Sequence, residues 1–368
     1  MKRKLFLFFL FTSFFLVLSL IISTGVIYYY KTNNNYSYAY YTKEEIESNK
    51  VTTTTIPILT PDINVKTVTF SAVGDCTIGW DTKFGYNGRF DQYYDISKDY
   101  GYYFDKVSSL FKKDDLTIIN LEGVFTEERI KVIKTWNYKA PIRYRDVLVK
   151  GNVDVVSFAN NHTHDYGVKG YSDTLKALDE VNILTYGYST NYLIKKVNGI
   201  KIGFFGMLDT NANSYTPVKN AIQYFKDNNC DLIIASMHWG NMYEYIPSQN
   251  QINMGHYLID NGVDLVIGHH PHVIEGIEKY NGKYILYSLG NFVYGGNPNP
   301  SDKDTFVWRQ TFTFKDGMLQ LDDNIDIIPA SLSGMSNYNN YQPVLLKGND
   351  RDRVLNKILN YSWGFSYN

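Results

Sequence analysis

Residues 262–272 read GVDLVIGHHPH, in which an apolar run leads directly into three histidines. A short run of β-branched and apolar residues between turn-forming residues is typical of a buried strand in an α/β protein. The same order recurs upstream, in NVDVVSFANNH, which ends at His162, and in NCDLIIASMHWG, which contains His238. The chain has only 7 histidines in 368 residues, so their placement after strands does not follow from composition.

Helical patterns alternate with strands through the middle of the chain. Apolar residues at helical spacing occur in YSDTLKALDEV, for which Ser172 is the expected N-cap, and in PVKNAIQYFKDNN, QNQINMGHYLIDNG and RDRVLNKILNYS. Asn-Gly pairs at 198–199 and 281–282 and an Asp-Gly pair at 316–317 predict hairpins. Helices between strands favour βαβ units, and the flanking hairpins add antiparallel strands, so we predict a mixed-sheet α/β sandwich.

Metal-ligand residue types gather at the ends of the predicted strands. Ligands of open α/β sheets bind outside the carboxyl ends of the strands, and carboxylate, amide and imidazole groups suit Zn, Mn or Fe. Strand alternation places His270 and His272 on one side and His269 on the other, and His256, inside a helix, is expected to be structural. The strand ends carry Asp75; Asn120 and Glu122; Asn160 to Asp165; His238; and His269 to His272.

The N-terminus predicts a membrane anchor. Lys2, Arg3 and Lys4 precede residues 5–27, which carry no charge and as a helix would span roughly 34 Å. The positive-inside rule then places the rest of the chain outside the cell, with Tyr28 to Tyr30 at the interface. A cleaved signal peptide is the alternative. The predicted organisation is an anchor over 1–30, a polar linker over 31–64, a domain over 65–335 and a C-terminal extension with a short helix over 336–368.

Composition narrows the class of partner. The formal net charge is −1, so no basic field favours nucleic acid. Cys76 and Cys230 are too few for a disulfide framework and form no C-x-x-C motif, and whether they pair is open.

Six motifs, in order along the chain, resemble the CapA/PgsA-type poly-γ-glutamate capsule-biosynthesis proteins, which are related to calcineurin-like metallophosphoesterases. The resemblance implies a four-layer α/β/β/α metallophosphatase-like sandwich. It also implies a single-pass cell-membrane protein whose extracellular domain helps to make or export an anionic γ-glutamyl polymer beside membrane-embedded synthase subunits. The motifs are GDCTIG (74–79), NLEG (120–123), ANNHTHDYG (159–167), HWG (238–240), GHHPHV (268–273) and YSLGNF (287–292).

The resemblance also implies roles for individual residues. His162 is the implied general acid, and Glu122 falls where a metal-bridging carboxylate is expected. Lys139, in YKAP, is a candidate to hold a substrate carboxylate, and Asn120 and Asn291 are further candidate substrate-binding residues. The implied metal ligands are Asp75, Glu122, Asn161, His238, His270 and His272.

Two positions depart from the family pattern. Thr77 stands where metallophosphatases carry a ligand histidine, and Met242 stands where the resembled family often has Glu, with Glu244 nearby. A missing imidazole predicts one tightly held ion and a weak second site. Three functions stay open: a metal-dependent hydrolase of the polymer pathway, in which a metal-activated water attacks an acyl or phosphoryl centre; a non-catalytic polymer-binding accessory subunit; and an extracellular phosphoesterase.

Overall fold

Strands make up the centre of the domain in the computed structural model, which describes residues 64–187, 190–209 and 211–367. The strands are β1 (Val65–Thr77), β2 (Leu116–Leu121), β3 (Val124–Phe125), β4 (Lys139–Ala140), β5 (Val155–Phe158), β6 (Leu184–Gly187), β7 (Leu193–Val197), β8 (Ile200–Leu208), β9 (Leu232–His238), β10 (Leu265–His269), β11 (Ile277–Tyr280), β12 (Lys283–Leu286), β13 (Asn291–Tyr294), β14 (Asp304–Lys315), β15 (Met318–Gln320), β16 (Ile325–Ser331) and β17 (Val344–Leu345). The α-helices are α1 (Phe90–Ser97), α2 (Ser108–Phe111), α3 (Arg145–Lys150), α4 (Gly167–Asp179), α5 (Tyr215–Asp227), α6 (Gln249–Asp260) and α7 (Gly348–Asn360).

Two mixed sheets contain all of these strands except β3 and β4, which pair with each other as a separate two-stranded sheet. In the described part of the chain, the larger sheet has the order β17-β16-β14-β1-β2-β5-β6, with β13 also paired to β1 and β15 to β14. The second sheet has the order β11-β12-β10-β9-β8-β7. The central pairs β1–β2, β2–β5, β8–β9 and β9–β10 are parallel, whereas β14 and β7 pair antiparallel with their neighbours. Parallel centres with antiparallel flanks confirm the predicted mixed-sheet α/β sandwich.

Alternate residues of the central strands face different hydrophobic cores. In β2, Ile118 packs in the core between the two sheets, whereas Ile119 packs in the core under α3 and α4. In β9, Ile234 faces the inter-sheet core and Ile233 faces the core under α5 and α6. Both faces of each sheet are therefore covered, which explains why these strands are continuously apolar instead of alternating.

The local predictions agree with the structure except at one helix start. Asn198 and Asn281 adopt positive φ values of 50° and 49° in the two Asn-Gly turns, as short hairpins require. Helix α4 begins at Gly167, so Ser172 is not its N-cap; the Ser172 hydroxyl donates to the carbonyl of Lys169 inside the helix. The N-cap prediction was wrong because Gly167 and Val168 extend the helix upstream of the apolar pattern.

The predicted membrane segment, residues 5–27, lies outside the residues that the structure describes. Among the described helices, none combines the length and the apolar content that crossing a bilayer requires. Cys76 is buried, Cys230 is half-buried, and both are free thiols.

Candidate metal centre

The polar strand ends of the two sheets meet at one site. Asp75 of β1 is in register with Asn120 of β2, and His238 of β9 is in register with His269 of β10. Parallel pairing within each sheet brings these carboxyl ends to a common edge. The close approach of β1 and β13 depends on Gly74, where a Cβ atom would lie 2.0 Å from the carbonyl oxygen of Gly290.

The Glu122 carboxylate lies at the centre of the histidines. Its Oε1 atom is buried and has no hydrogen-bond partner. The Nε2 atoms of His272, His238 and His162 lie 3.7, 3.8 and 4.0 Å from Oε1. Ligand atoms bound at about 2.1 Å around a tetrahedral ion are roughly 3.4 Å apart, so these separations are close to those of a shared coordination sphere. An unpartnered buried carboxylate oxygen facing imidazole nitrogens fits a divalent cation.

Glu122, His270 and His272 each offer a ligand atom, and these atoms lie within 4.8 Å of one another. His270 and His272 adopt positive φ values of 99° and 59°, directly after β10 ends at His269. Non-glycine residues in this region carry backbone strain, which is concentrated at functional sites. Asp75 Oδ2 holds the turn by accepting from the backbone N–H of His270 at 3.1 Å.

Neighbouring side chains orient the ring of His272. The Nδ1 atom of His272 lies 2.9 Å from Asn291 Oδ1, and Asn291 Nδ2 donates to the His272 carbonyl at 3.1 Å. Fixing Nδ1 in this way leaves Nε2 directed toward Glu122, which is the arrangement expected of a metal-binding histidine and its supporting group. Asn291, a candidate substrate-binding residue from the sequence, therefore supports the candidate metal ligand His272 through its side-chain amide.

Burial and neighbouring charges together set the charge states of the cluster. Burial lowers the pKa of His238 well below its usual range and lowers that of His270 to about 4, so both rings are neutral, the form that binds a cation. Burial opposes the charged form of His272, but Glu122 and Asp75 outweigh it and raise the pKa of His272 to about 9. Burial raises the pKa of the Glu122 carboxyl, and the charge of His272 partly offsets this effect.

Asp75 is surrounded by protein groups. Its Oδ1 atom accepts from Asn120 Nδ2 at 2.8 Å and lies 3.1 Å from His269 Nδ1. Its Oδ2 atom lies 3.4 Å from His272 Nδ1 in addition to its bond from the His270 backbone. Burial alone would raise the pKa of Asp75, but the contacts with His269 and His272 lower it well below the usual range. Strand alternation did not predict the His269 contact.

Asn161 and His238 meet on the open side of the cluster. The Asn161 side chain is exposed, and its Oδ1 atom lies 3.1 Å from His238 Nε2. Asn120 is buried, and its amide links the two sides of the site by donating to Asp75 and accepting from Asn160 Nδ2 at 3.0 Å. Asn120 therefore holds other site residues in place.

His162 is part of a hydrogen-bonded network that the motif alone did not define. Its Nδ1 atom lies 2.7 Å from Asp165 Oδ2, and its ring packs against Tyr138 at a centroid distance of 4.4 Å. Lys134 contacts Asp165 in an ion pair and lies 3.2 Å from His162 Nδ1. Asp165 also accepts from the backbone N–H of Tyr138 at 2.6 Å. The network orients Nε2 of His162 toward Glu122.

A cavity of 500 Å³ opens beside the cluster. The cavity reaches Asn161, His162 and His272. Its lining also includes Lys134, Trp136, Tyr138, Met242 and Tyr243. Its size is that of a small-molecule or oligomer-segment site. Met242, the departure from the family pattern, is exposed at this cavity.

Lys139, the candidate substrate-binding lysine, lies apart from this cavity. Its ammonium group donates to the carbonyl of Glu128 and lies 4.7 Å from the centre of the Tyr166 ring. The lysine at the cavity is Lys134, which the sequence did not single out. Asp165 was detectable, because it lies three residues after His162 in ANNHTHDYG, whereas the position of Lys134 depends on the tertiary fold. His256, expected to be structural, pairs with Glu278 at 2.8 Å outside the cluster.

Mixed α/β sheets with a carboxylate–imidazole cluster at their strand ends have the features of a metal-binding α/β domain. The protein family described as "Bacterial capsule synthesis protein PGA_cap" matches this chain over residues 69–295, which include every residue of the cluster. The chain belongs to this family, as its six motifs predicted.

Relatives of the chain carry names from capsule and polymer synthesis. The PGA biosynthesis protein CapA of Bacillus subtilis is 33% identical over 216 residues, which cover 52% of this chain and 56% of the relative. The capsule biosynthesis protein CapA of Bacillus anthracis is 29% identical over 256 residues, which cover 62% of this chain and 60% of the relative. The matched regions thus span less than two thirds of these relatives. A hypothetical protein from Thermus thermophilus has a TM-score of 0.42 at 14% identity, over 71% of this chain and 98% of its own.

Proposed function

We propose that this chain is a membrane-anchored extracellular protein of poly-γ-glutamate-type capsule synthesis or export that uses a divalent metal ion. The observation that carries the proposal is the buried Glu122 Oε1 atom, which has no hydrogen-bond partner and faces the Nε2 atoms of His238 and His272. Family membership supports the pathway, since the family description and the names of the two Bacillus relatives refer to capsule or PGA synthesis.

The ligand set that fits best holds one ion. Glu122, His238 and His270 would bind it, with the amide oxygen of Asn161 completing the set on the open side. His272 would join them by releasing its proton, because its raised pKa keeps the ring charged until a cation replaces that proton. Mn, Zn and Fe all accept such mixed oxygen and nitrogen ligands. A bound divalent ion would supply a Lewis acid that polarises a carbonyl or phosphoryl oxygen.

The other residues of the site have separate tasks in this proposal. Asp165 holds the His162 ring through Nδ1, and Nε2 is then directed to the cluster, where it can donate a proton to a leaving group. The Asp165–Lys134 ion pair fixes Asp165 itself. The aromatic side chains of Tyr138 and Tyr243 line the cavity beside these groups.

An anionic polymer is the proposed substrate. Support for an acidic polymer comes from the family description and the names of the relatives rather than from Lys134, which lines the cavity beside His162 but is already paired with Asp165. The predicted anchor over residues 5–27 would keep the domain at the outer surface of the membrane, beside membrane-embedded synthase subunits. A polymer that leaves such a synthase would reach the cavity without diffusing away.

A non-catalytic accessory subunit is the second candidate. Thr77 supplies no imidazole, and its hydroxyl donates to Glu122 Oε2 at 3.4 Å. Both oxygens of Asp75 already contact protein donors, so a second ion would have to displace these contacts. Two-metal hydrolases stabilise both the attacking and the leaving oxygen. A one-metal site favours weaker catalysis or binding alone.

Metal analysis of the full chain in detergent, followed by hydrolysis assays, tests the proposal. We expect one tightly held ion per chain, its loss in His238→Ala, and its retention in His256→Ala, a matched change outside the cluster. Metal-dependent cleavage of γ-glutamyl oligomers would support the hydrolase, and metal-dependent binding without cleavage would support the accessory subunit. Cleavage of phosphate esters alone would support a phosphoesterase. Absence of any metal binding would refute the site, and two equally tight ions would refute the ligand assignment.

A further inference from the structure

A second cavity of 430 Å³ lies on the part of the chain that follows the family match. Its lining comes from three segments, represented by Lys303, Ser336 and Arg353. The family match ends at residue 295, so the C-terminal strands and α7 build this cavity. We call it the distal cavity, and we call the 500 Å³ cavity beside Glu122 the metal-side cavity.

A small third cavity of 70 Å³ lies between them. It shares Tyr243, His272, Tyr294 and Asn297 with the metal-side cavity. It shares Ser301 and Asp302 with the distal cavity. The three cavities therefore lie next to one another in space, in a row that leads from the metal cluster along the β13–β14 connection to α7.

The connection that lines this path is held in place by buried groups. Asn339 is fully buried, and its Nδ2 atom donates to the carbonyls of Tyr294 and Asn297 at 2.8 and 3.0 Å. The backbone N–H of Asn339 donates to the Pro298 carbonyl at 3.0 Å. A path with fixed walls binds an extended chain at a lower entropic cost than a mobile loop does.

The distal cavity is lined by three aspartates, Asp302, Asp304 and Asp350, and by Lys303 and Arg353. Asp302 is paired with Lys357 at 2.7 Å and Asp350 with Arg353 at 3.9 Å, which leaves Lys303 as the lining cation without an acidic partner among the described residues. Asp304 is paired with Arg353 through two contacts of 2.8 Å and with Lys357 at 2.9 Å. Lys303 contacts only the neutral oxygens of Asn299 and Pro300, at 3.1 and 2.8 Å, and forms no ion pair with a described residue. Its ammonium group can therefore bind an added carboxylate without breaking an ion pair.

We infer that the distal cavity is a second binding subsite for the same acidic chain, with Lys303 binding a carboxylate several units away from the metal cluster. This inference rests on the proposed function. A 500 Å³ cavity is about 10 Å across, and an extended γ-glutamyl unit is about 6 Å long, so the metal-side cavity holds one or two units. Longer chains would continue through the small cavity into the distal one.

Binding as a function of chain length tests this subsite. The full chain in detergent micelles, with Mn²⁺, would be titrated with end-labelled γ-glutamyl dimers, tetramers and octamers by fluorescence anisotropy. Mass spectrometry after the titration checks that each oligomer is intact. We expect octamers to bind more tightly than dimers. Lys303→Gln should weaken octamer binding about five-fold, as loss of one partly exposed charge contact predicts, and should leave dimer binding unchanged.

Two further variants separate the subsite from general effects. Ser336→Glu adds a negative charge to an exposed position of the distal cavity and should weaken octamer binding in the same selective way. Lys219→Gln, at an exposed position of α5 outside all three cavities, should change neither dimer binding nor octamer binding. Equal affinity for all lengths, or a length dependence that survives both distal variants, would overturn the inference while leaving the proposed function intact. If oligomers of every length fail to bind, the proposed function falls and the inference falls with it.

Discussion

Replacing the central carboxylate, Glu122→Gln, should separate metal binding from folding. The change keeps the shape of the side chain and removes its charge. Burial raises the pKa of Glu122 and disfavours its charge in the metal-free fold, whereas the same charge stabilises the protonated ring of His272. Because the two effects oppose each other, the variant should be about as stable as the wild type without metal. With metal, the variant should be the less stable of the two, since an amide is a much poorer ligand for a divalent ion.

The size of the effect follows from binding linkage. Metal at 100 times its Kd stabilises the native state by about 2.7 kcal/mol, which raises the Tm of a domain this large by roughly 5 °C. If the variant binds about 100-fold more weakly, the same metal concentration stabilises it by only about 0.4 kcal/mol, or roughly 1 °C. Thermal unfolding of the full chain, with Mn²⁺ or Zn²⁺ and after chelation, measures both states.

The control is Glu127→Gln, the same chemical change at an exposed carboxylate. It should retain the full metal-dependent increase in Tm. An undiminished increase in Glu122→Gln would refute the reasoning, because it would mean that the ion binds elsewhere. A large loss of stability in the metal-free variant would also refute it, since the carboxylate would then have a structural role that its unpartnered oxygen does not indicate.

Three further predictions test the backbone, a buried acid and the candidate general acid. Gly74→Ala should lower the Tm by several degrees, because its Cβ would lie 2.0 Å from a backbone oxygen, whereas Gly85→Ala, with open space around it, should be neutral in the same melting assay. Burial raises the pKa of Glu275 to about 8, so its native state prefers the protonated form. The free energy of unfolding should therefore fall as the pH rises from about 4.5 to 8, by at most about 5 kcal/mol. Glu275→Gln should remove this fall in unfolding experiments across the same pH range. An unchanged pH profile in the variant would contradict the assignment to Glu275. If the chain is a hydrolase, Asp165→Asn should lower kcat about 100-fold or more, because the ring of His162 would no longer be held in place. The bound ion should be retained in this variant. Loss of the ion would mean that Asp165 supports the metal site instead.

Local chemistry explains why much of the fold was predictable. The Asn198-Gly199 and Asn281-Gly282 turns need positive φ, which these residue types adopt readily, so both hairpins were readable. Apolar runs such as the one before Asn120 form strands buried on both faces, and a parallel sheet places their carboxyl ends together. That rule places Asp75 beside Asn120 in one sheet and His238 beside His269 in the other, whereas the meeting of Glu122 with the histidines depends on how the two sheets face each other.

Tertiary structure decided what strand order and periodicity cannot encode. Positive φ at His270 and His272 ends strand geometry, so alternation after β10 no longer predicts which rings share a face, and His269 also reaches Asp75. Lys134, and not Lys139, lies at the metal-side cavity, because the loop before β4 packs its ammonium on Asp165, 31 residues away in the chain.

The class of the site could be inferred from the sequence, because residue type fixes which atoms can bind a cation and each sheet gathers such residues at its strand ends. Which of these atoms face one another depends on the folded structure. Glu122 Oε1 is left without a partner, whereas both oxygens of Asp75 are engaged by neighbours from other strands and turns. That difference depends on packing between segments that are distant in the chain, and local sequence patterns do not determine the distances between such segments.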